Sequence, residues 1–200
     1  MKKPALCYVA IILLFCNCSK SPDIIFENST LTRLDLSNYF TLFTIRSGQQ
    51  FTDGNVYKPI ETEELKFSVK FDSSAIYQSF LSINQYDINK LYGFSDNNAH
   101  HHQFSARFGW RWSDDALRLF AYVYNNGIVI SKELGSVTIG KEVNCSIKVG
   151  EATYTFIMDE ITEYLPRSST TPLAKGYLLY PYFGGDELAP HDINIWIKTL

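Results

Sequence analysis

Apolar and polar residues alternate along much of this chain, and this period of two constrains the fold more than any other feature. Residues 65–71, 105–112 and 117–124 each place apolar side chains on one face and mostly polar or aromatic ones on the other. Such alternation is typical of β-strands with one buried face. Asn126-Gly127 follows the last of these segments, and Asn-Gly favours a tight hairpin turn. The pattern therefore predicts antiparallel hairpins.

Shorter strand patterns continue the series to the end of the chain. They cover residues 128–130, 137–139, 145–149, 153–158, 177–182 and 193–200. Only residues 73–81 suggest a short helix or an irregular crossing. Many short strands with turns between them predict an all-β fold, a two-sheet antiparallel β-sandwich or jelly roll. The last strand is expected to pair near the start of this domain.

The N-terminus has the features of an export signal. Lys2 and Lys3 precede an uncharged, mostly apolar segment, residues 5–15, which is too short to span a bilayer. Residues 14–19, Leu-Phe-Cys-Asn-Cys-Ser, resemble a bacterial lipobox, which implies cleavage before Cys18 and acylation of that cysteine. We therefore expect a signal peptide at 1–17, a tether at 18–28 and a single domain at 29–200. Several acyl chains would anchor the protein stably to the cell envelope, in the outer membrane of a Gram-negative bacterium.

Charge and cysteine content limit the partners and the chemistry. The net charge is −3 and no basic block is present, so nucleic acid is not expected as a partner. A strongly anionic polysaccharide would require a local basic cluster. Once Cys18 is acylated, Cys145 has no partner in the mature chain, so we predict a buried structural thiol and no disulfide. Aromatic residues make up 15% of the sequence, which suits either sugar stacking or simply a large β core.

Two segments carry a resemblance to a known group. Residues 90–124, which include His-His-His-Gln-Phe-Ser-Ala-Arg-Phe-Gly-Trp-Arg-Trp, and residues 180–192 resemble bacterial lipoproteins of the concanavalin A-like lectin/glucanase superfold. The resemblance implies two curved antiparallel sheets with a concave face that often holds a glycan. The chain has no Glu-x-Asp-x-x-Glu segment of the laminarinase type. It also has neither the Arg-x-Glu nor the Gln-x-His motif of alginate lyases, so the resemblance does not by itself imply catalysis.

The most distinctive candidate site begins at His100, His101 and His102. On a strand, only His100 and His102 would share a side. Because no further ligand follows at a metal-binding spacing, no metal site is predicted, and a polar loop with one histidine capping a strand is the simpler interpretation.

Arginines and tyrosines follow the histidines. Arg107 and Arg111 fall on one strand face, where their guanidinium groups would contact carboxylates or sugar hydroxyls. Tyr122 and Tyr124 lie on the next strand, as stacking platforms or proton-donating phenols. The competing interpretation is arginines paired with nearby acids and tyrosines in the core.

The loop near the C-terminus contains further candidates. His191 beside Asp192 suggests a ligand-binding or acid–base residue, although Asp-to-backbone hydrogen bonds within the loop are the more common explanation. Asp186 and Glu187 offer weak support for Ca²⁺, and no other cofactor is expected.

These observations lead to three functional hypotheses. The first is a cell-envelope lipoprotein that binds a carbohydrate through His100, His102, Arg107, Arg111, Tyr122, Tyr124 and His191. The second is a polysaccharide lyase or glycoside hydrolase that uses His102, Arg107 and Tyr122 or Tyr124. The third is a structural lipoprotein without a ligand, whose concave face is filled by its own side chains. An open groove lined by Arg, His and Tyr would argue against the third hypothesis.

Overall fold

A computed structural model describes residues 39–200 of the chain. The predicted signal peptide, the lipidation site at Cys18 and the tether at 18–28 lie outside the described residues. Within the described part, no helix has both the length and the apolar character needed to cross a membrane.

Twelve strands make up nearly all of the regular structure. They are β1 (Thr41–Ile45), β2 (Pro59–Thr62), β3 (Glu64–Phe71), β4 (Asn89–Ser95), β5 (Phe104–Ser113), β6 (Ala116–Asn125), β7 (Ile128–Val137), β8 (Glu142–Val149), β9 (Thr153–Met158), β10 (Ile161–Pro166), β11 (Ala174–Leu179) and β12 (Ile193–Thr199). Two short 3₁₀ segments, Ser73–Ala75 and Ser82–Tyr86, lie between β3 and β4.

The strands form two antiparallel sheets of six strands each. The first sheet has the order β1-β12-β3-β8-β9-β10, and the second has the order β2-β11-β4-β5-β6-β7. The predicted all-β, two-sheet fold is therefore confirmed. The last strand pairs with β1, as expected, and it also pairs with β3 on its other side.

The core lies between the two sheets and is built from the apolar faces predicted by the alternation. Ala106, Phe108 and Trp110 of β5 are fully buried, as are Leu119 and Val123 of β6. Burying each large apolar side chain contributes roughly 1.5–3 kcal/mol. These two strands therefore supply a large share of the stabilisation, and they present their other face outward.

The turn predicted at Asn126-Gly127 is present, and a second tight turn joins β5 to β6. Asn126 and Gly127 have φ values of 53° and 79°, and Asp114 and Asp115 have φ values of 51° and 55°. Positive φ at both central residues defines the type I′ turn, which matches the twist of antiparallel strands. Cys145 is buried in β8, as predicted, and its burial raises the pKa of the thiol.

Several elements differ from the sequence-based prediction. β1, β2, β4 and β10 were not predicted, and β11 begins and ends three residues before the predicted strand 177–182. β7 is continuous from Ile128 to Val137, where the sequence pattern suggested two strands. The register of β7 against β6 shifts between Leu119 and Phe120, which shows that a bulge bends this strand without ending it.

Candidate functional site

The outer face of the second sheet carries the candidate site, in the row Gly93, Arg107 and Tyr122 across β4, β5 and β6. Gly93 pairs with Arg107, and Arg107 pairs with Tyr122. A Cβ atom at Gly93 would lie 2.4 Å from Cα and Cβ of Arg107. Glycine at this position therefore gives the backbone and side chain of Arg107 the room they need against β4.

Arg107 is a buried cation without a counter-charge among residues 39–200. Only 6% of the residue is exposed, and no ion pair or hydrogen bond joins its guanidinium to any residue from 39 to 200. Its Nε atom is buried and unpartnered. The guanidinium lies over the ring of Tyr122, 6.0 Å from the centroid. Burial lowers the pKa of Arg107 to about 10, so the group stays charged at neutral pH at a cost in solvation free energy.

Lys90 brings a second cation to the same ring. Its Nζ lies 4.6 Å from the centroid of Tyr122 and donates a 2.6 Å hydrogen bond to the carbonyl of Ile88. Burial, and then the charge of Arg107, lower the pKa of Lys90 to about 8. No carboxylate within the described residues forms an ion pair with Lys90. Two partly desolvated cations thus contact one aromatic ring.

The three histidines converge, which corrects the expectation that only His100 and His102 share a side. They lie in a turn before β5, outside the strand itself, so the strand alternation does not apply. The amide of Gln103 donates to the carbonyl of His100 at 2.7 Å and closes this turn. The ring centroids of the three imidazoles are 4.2 to 5.1 Å apart. Burial and the neighbouring charge of Arg107 lower the pKa of His101 to about 4, so this imidazole is neutral at neutral pH.

Two adjoining pockets open on this face. The larger has a volume of about 330 Å³, and among its walls are Phe51, Tyr57, His101, Arg107, Tyr177 and Tyr182. The smaller has a volume of about 210 Å³ and is lined by Lys90, His101, His102, Arg107, Tyr124 and Tyr182, together with two glycines. His101, Arg107 and Tyr182 belong to both pockets. The face is therefore open, with the buried arginine where the two cavities meet.

Of the predicted site residues, the structure gathers three in the smaller pocket: His102, Arg107 and Tyr124. The ring of His102 packs on that of Tyr124, with centroids 5.1 Å apart. Tyr122 lies beneath Lys90 and is 6% exposed, and burial raises the pKa of its phenol. His100 belongs to the histidine turn but lines neither pocket.

Arg111 and His191 lie apart from the two pockets. The guanidinium of Arg111 is stacked between the rings of Phe120 and Tyr86, at 4.8 and 5.4 Å, and donates to the carbonyl of Tyr86. His191 is 2.9 Å from the carbonyl of Ser74. Both residues therefore have structural partners, although these rings and carbonyls differ from the nearby acids and the Asp-to-backbone bonds that the sequence suggested.

Several pocket residues were not selected from the sequence as ligand contacts, among them Lys90, His101, Tyr177 and Tyr182. Lys90 lies on a strand that was not predicted, beside a register shift between Lys90 and Gly93. The phenol of Tyr177 is 2.9 Å from Nδ1 of His101, a contact between distant segments. The one available signal for Tyr182 was the resemblance of residues 180–192.

Glu187 is engaged in structure and not in cation binding. Its carboxylate accepts hydrogen bonds from the amides of Phe80 and Leu81 and from the side chain of Asn84, at 2.7 to 2.8 Å. These donors hold the pKa of Glu187 below its usual value. They leave the suggested Ca²⁺ site without support from this residue.

Comparison with solved structures identifies the fold. The chain is similar to an alginate lyase, AlyC3, at 12% identity, covering 80% of this chain and 74% of that chain with a TM-score of 0.56. It is also similar to the laminarinase catalytic domain from Thermotoga maritima MSB8, at 11% identity, 80% and 75% coverage and a TM-score of 0.51. For the endo-1,3-beta-glucanase from Thermotoga petrophila RKU-1, the identity is 12%, the coverage 80% and 75%, and the TM-score 0.50. No protein-family model and no curated protein matches the chain.

The architecture is thus the concanavalin A-like jelly roll, as the sequence resemblance implied. At these identities the similarity concerns the fold alone. The chemistry has to be argued from the pockets around Arg107.

Proposed function

We propose that the domain binds an acidic polysaccharide in the two pockets, with a sugar carboxylate paired to Arg107 and Lys90. The observation that carries this proposal is the burial of Arg107 without any counter-charge among the described residues. A buried, unpaired charge is costly, and an incoming carboxylate would supply the missing partner. The sequence required a local basic cluster for an anionic polysaccharide, and Arg107 with Lys90 is such a cluster.

The chemistry of the pocket walls supports a saccharide over a small inorganic anion. Phe51, Tyr57 and Tyr177 offer apolar ring faces beside the cations, and the C–H face of a sugar ring packs well on such surfaces. The adjoining pockets provide room for more than one sugar ring. The open groove also argues against the hypothesis of a structural lipoprotein whose outer face is filled by its own side chains.

A binding assay with matched arginine variants tests this proposal. Wild type, Arg107→Met and Arg111→Met are compared by calorimetry against alginate, polygalacturonate and the neutral glucan laminarin. We expect binding to an acidic polymer, a loss of at least about thirty-fold for Arg107→Met from the broken ion pair, and little change for Arg111→Met. Arg111 is a suitable control because it lies on the same strand outside the pockets. Equal binding by wild type and Arg107→Met would overturn the proposal.

A second candidate is a β-eliminating lyase acting on the same polymer. It is favoured by Tyr124, whose side chain lines the smaller pocket together with Arg107. Neutralising the uronate carboxylate makes the adjacent C–H bond acidic. A base then removes that proton, a carbon–carbon double bond forms, the bond from the neighbouring carbon to the glycosidic oxygen breaks, and this oxygen takes up a proton. Tyr124 is the group assigned to proton transfer.

The lyase reaction has a direct readout. Its product absorbs in the ultraviolet because of the new double bond conjugated with the carboxylate. Wild type should produce this absorbance, and Tyr124→Phe should lose it while retaining binding. Binding of an acidic polymer without any such product would remove the lyase and leave the binding function in place.

The location of the protein is a separate part of the proposal. We propose that the domain is exported and anchored at the cell envelope through acylated Cys18, because of the resemblance to a lipobox. Labelling with a palmitate analogue should mark wild type and not Cys18→Ser. Equal labelling of both would show that Cys18 is not the acylated residue.

A further inference from the structure

We infer that the turn carrying His100, His101 and His102 binds a divalent transition-metal ion of the Zn²⁺, Cu²⁺ or Ni²⁺ class. One nitrogen of each imidazole lies within 4.8 Å of the corresponding nitrogens of the other two. This inference stands on the geometry of the turn and does not depend on the carbohydrate proposal.

The distances are close to those of a coordinated ion. Metal–nitrogen bonds of about 2.0–2.1 Å in a tetrahedral site place the ligand nitrogens roughly 3.4 Å apart. His102 is exposed, as is His100, so both rings have room to rotate and shorten the present separations. His101 is half-buried and provides the fixed member of the set.

A hydrogen bond orients the fixed imidazole. The hydroxyl of Tyr177 lies 2.9 Å from Nδ1 of His101, which leaves Nε2 free to coordinate. Metal-binding histidines usually have such a partner on the second ring nitrogen, because it fixes the ring orientation. Tyr177 belongs to β11, so its contact ties the histidine turn to a neighbouring strand.

The backbone of the turn is also held firmly. Asp96, at its start, forms a buried ion pair with Arg167 at 2.9 Å. The carbonyl of Asp96 accepts a hydrogen bond from the amide of Ala99 at 3.0 Å, and the carbonyl of His100 accepts one from Gln103. A turn fixed at both ends lowers the ordering cost of bringing three side chains to one ion.

The ligand set selects the class of metal. Three imidazoles suit Zn²⁺, Cu²⁺ and Ni²⁺, whereas Mg²⁺ and Ca²⁺ prefer oxygen ligands, and no carboxylate within the described residues belongs to the histidine cluster. Two of the histidines, His101 and His102, also line the smaller pocket beside Arg107. The remaining coordination position would therefore take water or an anionic oxygen, and the positive charge of Arg107 tempers the affinity for the cation.

Metal binding is measured on untagged protein, since an affinity tag of histidines would itself bind these ions. Calorimetry with Zn²⁺, Cu²⁺ and Ni²⁺ should give one site per chain in the micromolar range. Mg²⁺ is the negative control and should not bind. Each of His100→Ala, His101→Ala and His102→Ala should weaken binding at least tenfold. His191→Ala is the matched control and should bind as wild type. Electron paramagnetic resonance of the Cu²⁺ form should show nitrogen ligands.

Two results would overturn the inference. One is a wild-type affinity no tighter than millimolar, or an affinity that the three substitutions leave unchanged in variants shown to be folded by circular dichroism. The other is equally tight binding by a synthetic peptide of residues 97–103, which would show that the folded turn contributes nothing. Acidic-polymer binding is measured separately, so a failure of the metal site leaves the function proposed above intact.

Discussion

Two buried arginines on this molecule have opposite environments. Arg167 pairs with Asp96 at 2.9 Å, and the two side chains are 1% and 0% exposed. Its other guanidinium nitrogens donate to carbonyls of the surrounding loop, among them those of Gly150 and Thr171. Arg107 is almost as buried but has no such partner in residues 39–200. The first arginine completes a structural network, whereas the second holds an uncompensated charge at the junction of two pockets.

The difference shows how to separate a structural from a functional buried charge. Burial raises the pKa of Asp96, but the hydrogen bonds from Arg167, Tyr154 and two backbone amides outweigh it and hold that pKa below its usual value. The pKa of Arg107 is lowered instead, because burial dominates and no carboxylate opposes it. Charge that a fold leaves uncompensated in a cavity is a candidate for ligand recognition.

The largest expected effect on stability comes from replacing the paired arginine, Arg167. Arg167→Met should lower the free energy of unfolding by about 3–5 kcal/mol, because it leaves the buried carboxylate of Asp96 without its partner. Urea denaturation measures this change. Arg107→Met is the matched comparison at similar burial, and a smaller loss for Arg167→Met than for Arg107→Met would reverse the assignment of the two roles.

A smaller loss of stability is expected when a side chain at position 93 crowds Arg107. Gly93→Ala places a methyl group within 2.4 Å of Arg107 and 2.2 Å of the carbonyl oxygen of Ala106. Because backbone atoms must move, we expect a loss of about 1–3 kcal/mol together with weaker binding of an acidic polymer. Gly127→Ala is a useful control for alanine at a glycine, since nothing lies within 4 Å of its Cβ, although its φ of 79° adds local strain. Gly93→Ala with unchanged binding would show that the position of Arg107 is not set by β4.

Replacement of the unpaired arginine should cost little or no stability. Arg107→Met removes a buried charge that has no ion pair or hydrogen bond among residues 39–200, and the Met side chain can still pack on the ring of Tyr122. We therefore expect the free energy of unfolding without ligand to be unchanged or raised. Differential scanning calorimetry would show an equal or higher Tm. A drop of several degrees would mean that Arg107 has a structural partner after all.

The smallest expected effect is the change in folding stability with pH that Lys90 causes. The pKa of Lys90 is about 8 in the folded protein against an ordinary value of 10.5. Between these values the unfolded chain binds more protons, so stability should rise with pH through this window, and Lys90→Met should lack this rise. Arg107, His102, Asp87 and the ring of Tyr122 lie around the ammonium group. Burial, and then the charge of Arg107, lower the pKa of Lys90, and the charge of Asp87 opposes them.

The same titration affects ligand binding. A bound carboxylate favours the charged form of Lys90, so the affinity for an acidic polymer should fall above pH 8. Calorimetry from pH 7 to pH 10 checks this prediction, and a flat profile for wild type would remove Lys90 from the binding site.

The sequence predicted the two-sheet fold and the hairpin of β5 and β6, and it placed Arg107 and Arg111 correctly on one face of β5. Alternation specifies the face of a strand but not what covers that face. Arg111 is covered by Tyr86 of a 3₁₀ segment and by Phe120, and it therefore lies outside the pockets. Arg107 is more deeply buried, but it lies at the junction of the two pockets and has no ion pair or hydrogen bond within residues 39–200. The difference between the two arginines depends on the path of the connection between β3 and β4, which carries Tyr86. No local sequence pattern predicts that path.

The missed site residues have a similar explanation. Lys90 reaches the site through a β-bulge, and the contact between His101 and Tyr177 joins residues 76 positions apart. The histidines were judged by the period of a strand, whereas they lie in a turn held by distant hydrogen bonds. Local patterns report periodicity, and these residues are brought together by long-range pairing.

The position of the last strand has a consequence for how the domain is assembled. β12 lies between β1 and β3, so the strand encoded last joins two strands encoded early. Until residues 193–199 are available, β1 has no partner in its sheet and one edge of β3 stays open. Folding to completion therefore has to wait for the end of this segment, and the pairing of β12 with β1 closes a loop that spans most of residues 39–200. A ribosome-bound or truncated chain without β12 would expose two strand edges, which makes it a substrate for chaperones or for aggregation.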